Sequence, residues 1–590
     1  MQPRTQGASD HSHAREVEWQ LACENLGSVR RWLNEHEKIA DLLVQPEPTL
    51  HLLDTYFDTE DWRIYRAGFA LRIRMESGRA QATLKSLHSA QDEMADRLEL
   101  SEPLRSGEGG AITQSGGPVG ARVHAVTGAH PLQPLFEVRT ARERYAIRRQ
   151  DEEQQLGEIA LDETIVARPQ GEARTSVQRV EVEALTSAHE PLRALVKVLR
   201  NDCSLRPATD SKYALGLKSV GLAPAPPPQF SPATVDASMR IEEVARANLR
   251  RYWSAWLAHE PGARLGDDPE ALHDLRVAGR RLDATLRQFG AYLPVTLRRL
   301  SQTLKKVMRA LGEARDFDVA LAELEQFSSA LAQGDRNSVE PLQQHLHTER
   351  AHARARMLAI LDSTSVQRDF GKLTLTLTEP PSSAQPSSVQ TAADVASQMI
   401  RDRYRKMRKK ADRLGRLSSM EAYHEVRGRV KKLRYALDSV AALYGKPADD
   451  MLRALRRWQE SLGVQHDAHV ASGRLQALAS APPKGLPPET LFLMGRLAEH
   501  YAACAGKARK RFTKAYRKVR GRWKALRQKA QSMESKAPPV PASEAGPAPS
   551  SARATAGADS RPRESARPPL GERTAGGIEP PRQLAADAGA

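Results

Sequence analysis

Three cysteines in 590 residues, Cys23, Cys203 and Cys504, lie far apart without metal-type spacing, which argues against a disulfide framework or a cysteine-held zinc site. No run of about 18 uncharged apolar residues occurs, so membrane-spanning helices are not expected. The polar start Met1 to His13 has no hydrophobic segment of the secretory kind. The reading is a cytoplasmic protein without a membrane partner. Aromatic residues are only 5% of the chain. With few that look exposed and no recognised nucleic-acid motif, nucleic acid is disfavoured as a partner.

Charge is abundant but unevenly placed. Residues 231 to 530 carry 54 Lys and Arg against 32 Asp and Glu, a net of +22, while the rest of the chain is slightly acidic. A field of this kind attracts polyanions, and charge alone does not choose between nucleic acid, acidic membrane and polyphosphate.

The same basic region says one thing twice, 151 residues apart. His273-Asp274-Leu275-Arg276 with Arg280-Arg281 returns as His424-Glu425-Val426-Arg427 with Lys431-Lys432, and Lys305-Lys306 returns as Arg456-Arg457. Leu311-Gly312-x-x-Arg315-Asp316-x-x-Val319 returns as Leu462-Gly463-x-x-His466-Asp467-x-x-Val470. Four blocks at one offset mark a duplication. On a helix His273, Arg276 and Arg280 form one stripe, as do His424, Arg427 and Lys431. Either the stripes are solvated faces, or their mutual repulsion is relieved by an external anion. The Leu-Gly pairs read as helix ends or breaks that bring Arg315 and His466 near the stripes, with Asp316 and Asp467 orienting their neighbours.

From about Arg15 to Leu222 the pattern is period two, as in Glu158-Ile159-Ala160-Leu161-Asp162 and Val180-Glu181-Val182-Glu183, which reads as antiparallel strands. Helices are expected over Leu26 to Glu37 and Leu192 to Asn201. A proline-rich run from Ala223 to Pro228 reads as a semi-rigid spacer. Helical periodicity then holds from Val235 to about Ala530, interrupted near Glu379 to Gln390. Beyond about Ser532 the composition is that of a disordered tail. The domain expectation is 13–222, linker 223–234, 235–530, and tail 531–590. The fold class is an α+β antiparallel barrel or tunnel followed by an all-α duplicated four-helix-bundle domain.

In a strand, residues i and i+2 share a face, so Glu16, Glu18 and Gln20 point together, as do Arg72 and Arg74, Arg142 and Arg144, and Glu181 and Glu183. Either this is the wet side of a sheet, or it lines a closed barrel large enough to hold a ligand. In the second case acid pairs and basic pairs together suit a metal-bound oligophosphate.

These residues, with Tyr56-Phe57-Asp58-Thr59, Gly68-x-x-Leu71-Arg72-Ile73-Arg74, Thr83-Leu84-Lys85 and Ser211-Lys212-Tyr213-Ala214, resemble the CYTH or triphosphate tunnel superfamily over about residues 13 to 220. The resemblance implies Glu16, Glu18, Glu181 and Glu183 as metal-side acids, with Asp162 a weaker candidate, for Mg²⁺ or Mn²⁺. It also implies that Arg72, Arg74, Lys85, Arg142, Arg144 and Lys212 grip phosphates, with Lys85, Arg72 and Arg74 as the catalytic set. One departure is plain: Gln20 stands where the family's E-x-E-x-K opening has lysine. Gln20 can donate a hydrogen bond but carries no charge.

The duplicated region resembles the CHAD domain over about residues 235 to 525. That resemblance implies two four-helix bundles related by pseudo-twofold symmetry and a basic surface that binds inorganic polyphosphate. Its expected contacts are His273, Arg276, Arg280, Arg281, Lys305, Lys306, Arg315, His424, Arg427, Lys431, Lys432, Arg456, Arg457 and His466. The expected activity is metal-dependent hydrolysis of tripolyphosphate, with long-chain polyphosphate as second partner and polyphosphate granules as one location. The alternative is a non-catalytic polyphosphate binder with a degraded tunnel. In the basic stretch Lys507 to Lys529, the aromatics Phe512, Tyr516 and Trp523 are expected to pack against the core.

Overall fold

The computed structural model describes residues 14–534 except 88–93, 151, 153, 170, 188, 225–229, 231–234, 332, 380–389, 416–417 and 484. Most of the expected proline-rich spacer, of the Pro/Ser-rich interruption and of the C-terminal tail lies outside the described residues.

Ten strands form one antiparallel sheet. They are β1 (Ala14–Cys23), β2 (Lys38–Ile39), β3 (Leu42–Asp58), β4 (Phe69–Glu76), β5 (Arg79–Ser86), β6 (Met94–Leu104), β7 (Gln133–Arg149), β8 (Gln155–Ala167), β9 (Ala173–Ala184) and β10 (Arg206–Pro207). The neighbour order is β10-β1-β6-β5-β4-β3-β7-β8-β9, with β2 on β3, and β1 also pairs with β9. The strand path therefore returns to β1. The β4–β5 hairpin turns on Ser77 and Gly78, at φ 47° and 80°, a left-handed turn for which glycine carries no steric cost.

Among the described residues five helices cover the outer face, α1 (Leu26–Glu35), α2 (Arg63–Arg66), α3 (Gly109–Thr113), α4 (Pro118–Thr127) and α5 (His189–Asp202), while α6 (Lys212–Val220) packs on the inner side against Tyr56, Phe136, Val138 and Val166. The two helices expected from periodicity are α1 and α5. Each buries the stripe that predicted it, Leu26, Val29 and Leu33 in one, Leu192, Leu195, Val196 and Leu199 in the other. Because apolar residues alternate to this helix-covered side, the charged residues of the same strands face the concave side of the sheet. Asp58 ends β3 fully buried and accepts hydrogen bonds from the backbone N–H groups of Thr59, Ile64 and Tyr65, which fastens α2 to the strand.

The remaining helices are α7 (Ile241–Leu265), α8 (Pro269–Phe289), α9 (Val295–Ser329), α10 (Glu340–Leu361), α11 (Thr364–Thr378), α12 (Ala392–Ala411), α13 (Met420–Asp438), α14 (Ala441–Tyr444), α15 (Lys446–Ser480) and α16 (Pro488–Glu534). The duplication governs their boundaries: α7 and α12, α8 and α13, and α9 and α15 begin 151 residues apart, and α9 and α15 are both 35 residues long. At the helix starts, the Ile241 N–H donates to Gln390 and the Ala392 N–H to Met239, and Arg240 bridges Thr391. Those contacts relate equivalent residues reciprocally, as a local twofold does. The fourth element differs, α10 and α11 in the first copy and the single α16 in the second. Phe512 and Tyr516 are buried beside Trp458, and Trp523 stacks on Tyr404 with centroids 3.8 Å apart, so these aromatics pack in the core as expected.

Sheet and helices meet at Arg264 of α7, which is 1% exposed. It pairs with Glu260 at 2.9 Å and Asp362 at 2.8 Å and donates to the Ala125 carbonyl, while Arg122 pairs with Asp267 and Arg66 donates to the Leu257 carbonyl.

Candidate functional site

The concave face of the sheet holds a cavity of about 240 Å³ whose walls come from β1, β3 to β9 and α6. Among its lining residues are Glu18, Arg72, Arg74, Lys85, Arg142, Glu181, Glu183 and Lys212, so the strand faces with alternating charge point inward. The Glu16 side chain lies outside the described residues. Asp162 and Arg144 share the inward parity of their strands but are not among the lining residues.

Each cation meets a carboxylate. Arg74 holds Asp54 through two hydrogen bonds of 2.8 and 2.9 Å, with Arg72 3.4 Å from the same carboxylate. Burial alone would raise the Asp54 pKa, but Arg72 and Arg74 outweigh it and bring it down to about 2. Arg142 grips Asp162 at 2.8 and 2.7 Å and Glu181 at 2.6 Å, while Lys212 reaches Asp162 at 2.5 Å and Glu181 at 3.1 Å. Burial is overcome in the same way at Glu181, whose pKa falls far below the usual carboxylate range through Lys212 and Arg142. Lys85 lies 3.0 Å from Glu18 and 3.7 Å from Glu99, and Arg144 bridges Glu47 and Glu158.

The sequence reading missed Glu47, which stands opposite Arg144, and four other residues. Asp54, Glu99 and Glu158 have the inward parity of their strands, so alternation alone could have found them. Arg179 is the fourth. It is buried, shares the face of Glu181 and Glu183, and donates to the Gln20 side chain at 3.4 Å and to the Asp210 carbonyl at 2.6 Å. Gln20 in turn donates to Glu18 at 2.9 Å. A guanidinium thus stands behind the position where Gln20 brings no charge.

The donor chemistry fits a hard divalent ion: Glu18, Glu158, Glu181 and Glu183 offer carboxylate oxygens to one cavity, and Glu181 Oε1 is buried without a well-directed hydrogen bond. Among the described residues no three such ligands are gathered into a ready cluster. The tunnel's own cations hold the carboxylates instead.

A second cavity, of about 860 Å³, lies between the two helical copies. It brings together His273, Arg276, Arg280, Arg315, Arg427 and His466. The Leu-Gly pairs are a correction to the sequence reading: both lie inside uninterrupted helices, α9 and α15, and end nothing. Gly312 instead lies beside Arg276, whose Nη1 would be an ordinary 3.5 Å from a Cβ there and donates to the Leu311 and Gly312 carbonyls at 3.1 and 2.7 Å. In the other copy Arg427 lies beside Gly463. Asp316 and Asp467 lie 3.8 and 3.7 Å from Arg276 and Arg427, equivalent pairs that orient the stripe arginines.

Around this cavity cations outnumber acids. Burial, then Arg427 and Arg280, push the Lys431 ammonium down to about 7. Burial and Arg280 likewise bring Arg276 to about 10, and His466 is lowered by burial, Arg427 and His424, whose ring nitrogen is 3.4 Å away. The remaining expected contacts do not converge: Lys305, Lys306, Lys432, Arg456 and Arg457 are exposed outside the cavity lining, and Arg281 packs on the Tyr252 ring.

The family model of the CYTH domain matches residues 29–214, and that of the CHAD domain residues 247–476. Uncharacterized proteins from two strains of Mycobacterium tuberculosis are each 26% identical over 510 residues, covering 81% of this chain and 91% of theirs. The crystal structure of the CHAD domain from the plant Ricinus communis is 25% identical with a TM-score of 0.38, covering 51% of this chain and 96% of that one. A putative adenylyl cyclase from Hippeastrum, described as having a dominant triphosphatase activity, is 17% identical with a TM-score of 0.27, covering 35% and 97%.

Proposed function

Since this chain carries a CYTH domain followed by a CHAD domain, we propose that it hydrolyses the terminal phosphoanhydride of tripolyphosphate in the sheet cavity and holds long-chain polyphosphate on the helical domain. The observation that carries the first half is charge balance. Five cations, Arg72, Arg74, Lys85, Arg142 and Lys212, line the tunnel against five acids, Glu18, Glu99, Glu158, Glu181 and Glu183. A bare polyanion meets no net attraction there, whereas a phosphate that arrives with divalent ions does. Mg²⁺ or Mn²⁺ on Glu18, Glu181 and Glu183, with Glu16 of the same strand, would supply charge neutralisation and polarisation of the phosphoryl group.

In this reading Arg72 and Arg74 stay pre-aimed by Asp54, and Arg142 and Lys212 by Asp162, so the phosphate oxygens meet donors that need no reorganisation. Lys85 leaves Glu18 for phosphate when the carboxylate turns to the ion. For the helical domain, the support is the gathering of basic residues from both copies without an equal number of acids.

Gln20 favours a second reading, in which the tunnel binds but turns over slowly or not at all. Phosphate release from tripolyphosphate with Mg²⁺ or Mn²⁺ decides between them, measured beside an Arg72→Ala, Arg74→Ala variant. A loss of about 100-fold or more in the variant is expected from the removal of preorganised donors. Equal release from both proteins rejects the enzymatic reading.

A further inference from the structure

The duplication keeps Val319 and Val470 at equivalent positions, yet neither is spent on the core: they are 36% and 37% exposed and both line the cavity between the copies. Beyond them the walls become apolar. Along α9 the lining runs from Arg315 through Val319 to Leu324, and along α15 from His466 through Val470 and Leu475 to Leu478. At 1.5 Å per residue these stretches reach about 14 and 18 Å from the cationic end. Leu342 and Leu346 of α10 and Leu497 of α16 complete the far wall. Of the polar groups on the way, Glu323 accepts from the Tyr501 hydroxyl at 2.8 Å, Arg474 pairs with Asp316 at 2.6 Å and Glu349 lies 3.5 Å from His352, while His345 also lines the wall.

A chain of phosphates would satisfy only one end of such a cavity, because charged oxygens gain nothing from leucine walls and lose water there. A neutral apolar ligand would leave Arg280, which has no ion pair among the described residues, without an anion, and Arg276 and Arg427 with only distant carboxylates at 3.8 and 3.7 Å. We propose that the cavity between the helical copies binds a single-chain anionic amphiphile, a phosphate headgroup at Arg276, Arg280, Arg427 and His466 with its acyl tail laid along Val319, Val470 and the leucines beyond. The volume of about 860 Å³ lies within the range of roughly 300–1,000 Å³ typical of small-molecule sites. Two equivalent valines, one from each copy, would close on the tail where it leaves the headgroup. This site shares cations with the polyphosphate reading but does not depend on it.

The test is calorimetric titration of the full chain with dodecyl phosphate below its critical micelle concentration, with inorganic phosphate and dodecyl maltoside as single-ended controls. One-to-one binding of dodecyl phosphate is expected, at least about 30-fold tighter than either control. In the Val319→Ser, Val470→Ser variant, whose half-exposed positions tolerate a polar side chain, its affinity should fall about tenfold, as expected when apolar contact to two valines is lost. Binding of long-chain polyphosphate to that variant should be unchanged. Dodecyl phosphate binding no tighter than phosphate, or equally tight in the serine variant, overturns the proposal whether or not polyphosphate binds. Valine-dependent dimerisation in sedimentation would overturn it too, by showing that a second copy fills the cavity. Loss of polyphosphate binding alone would count against the polyphosphate reading only.

Discussion

On the proposed function, the tunnel and the helical cavity would answer one problem, holding a polyanion, in opposite ways. In the tunnel each lining cation touches a buried or half-buried carboxylate, so the site is neutral within itself and its side chains are rigidly placed. In the helical cavity Arg280 and Lys431 have no ion pair among the described residues and press on one another, so the site stores repulsion that an anion relieves. The first arrangement calls for a counter-ion to accompany the substrate, the second accepts a bare anion. Geometry is thus held by close ion pairs in one region and by backbone carbonyls with the looser Asp316 and Asp467 contacts in the other.

Stripping divalent ions should break the symmetry most. With a chelator, phosphate release from tripolyphosphate should fall to background while retention of long-chain polyphosphate persists, the first read by phosphate assay and the second by filter binding. Next in size is Asp162→Ala, which leaves Arg142 and Lys212 to share Glu181 alone and should cost about 1.5–3 kcal/mol in urea unfolding, the worth of a hydrogen bond to a charged group. By contrast Arg280→Gln, which removes a cation that repels its neighbours, should leave stability unchanged or raise it by a few tenths of a kcal/mol.

The pH response should differ as well. Below pH 7 Lys431 is mostly charged in the folded protein; above it, an incoming anion must draw a proton from solvent onto the neutral amine. Polyphosphate affinity should therefore weaken about threefold to tenfold from pH 7 to 8, and Lys431→Gln should bind more weakly but with that slope reduced. The smallest expected effect belongs to Gln20→Lys. Because Arg179 already stands behind Gln20, turnover should change by no more than about tenfold, and a larger rise would show that Arg179 does not substitute for the charge.

Much of this was legible in the chain because it is local or periodic. Strand parity put Arg72 with Arg74 and Glu181 with Glu183 on shared faces, and one offset marked the copies whose helices begin at Val295 and Lys446. What was not legible depends on partners distant in sequence. Whether the charged strand faces lie inside is set by β1 pairing with β9, from the opposite end of the sheet. Gly312 and Gly463 look like breaks because glycine weakens a helix locally, but each lies inside a continuous helix beside an arginine from a neighbouring one. Asp54 and Arg179 had the right parity, with nothing in the sequence naming the side chains they meet.

Arg264 fixes one more property. A guanidinium clamped between Glu260 and Asp362 and reaching the Ala125 carbonyl ties sheet and helices into one frame. A polymer long enough to touch both anion sites would feel them as a bivalent receptor with constant spacing, and its avidity would rise sharply at one threshold length while shorter chains gain nothing. On the proposed function, such a molecule would measure its ligand as well as bind it.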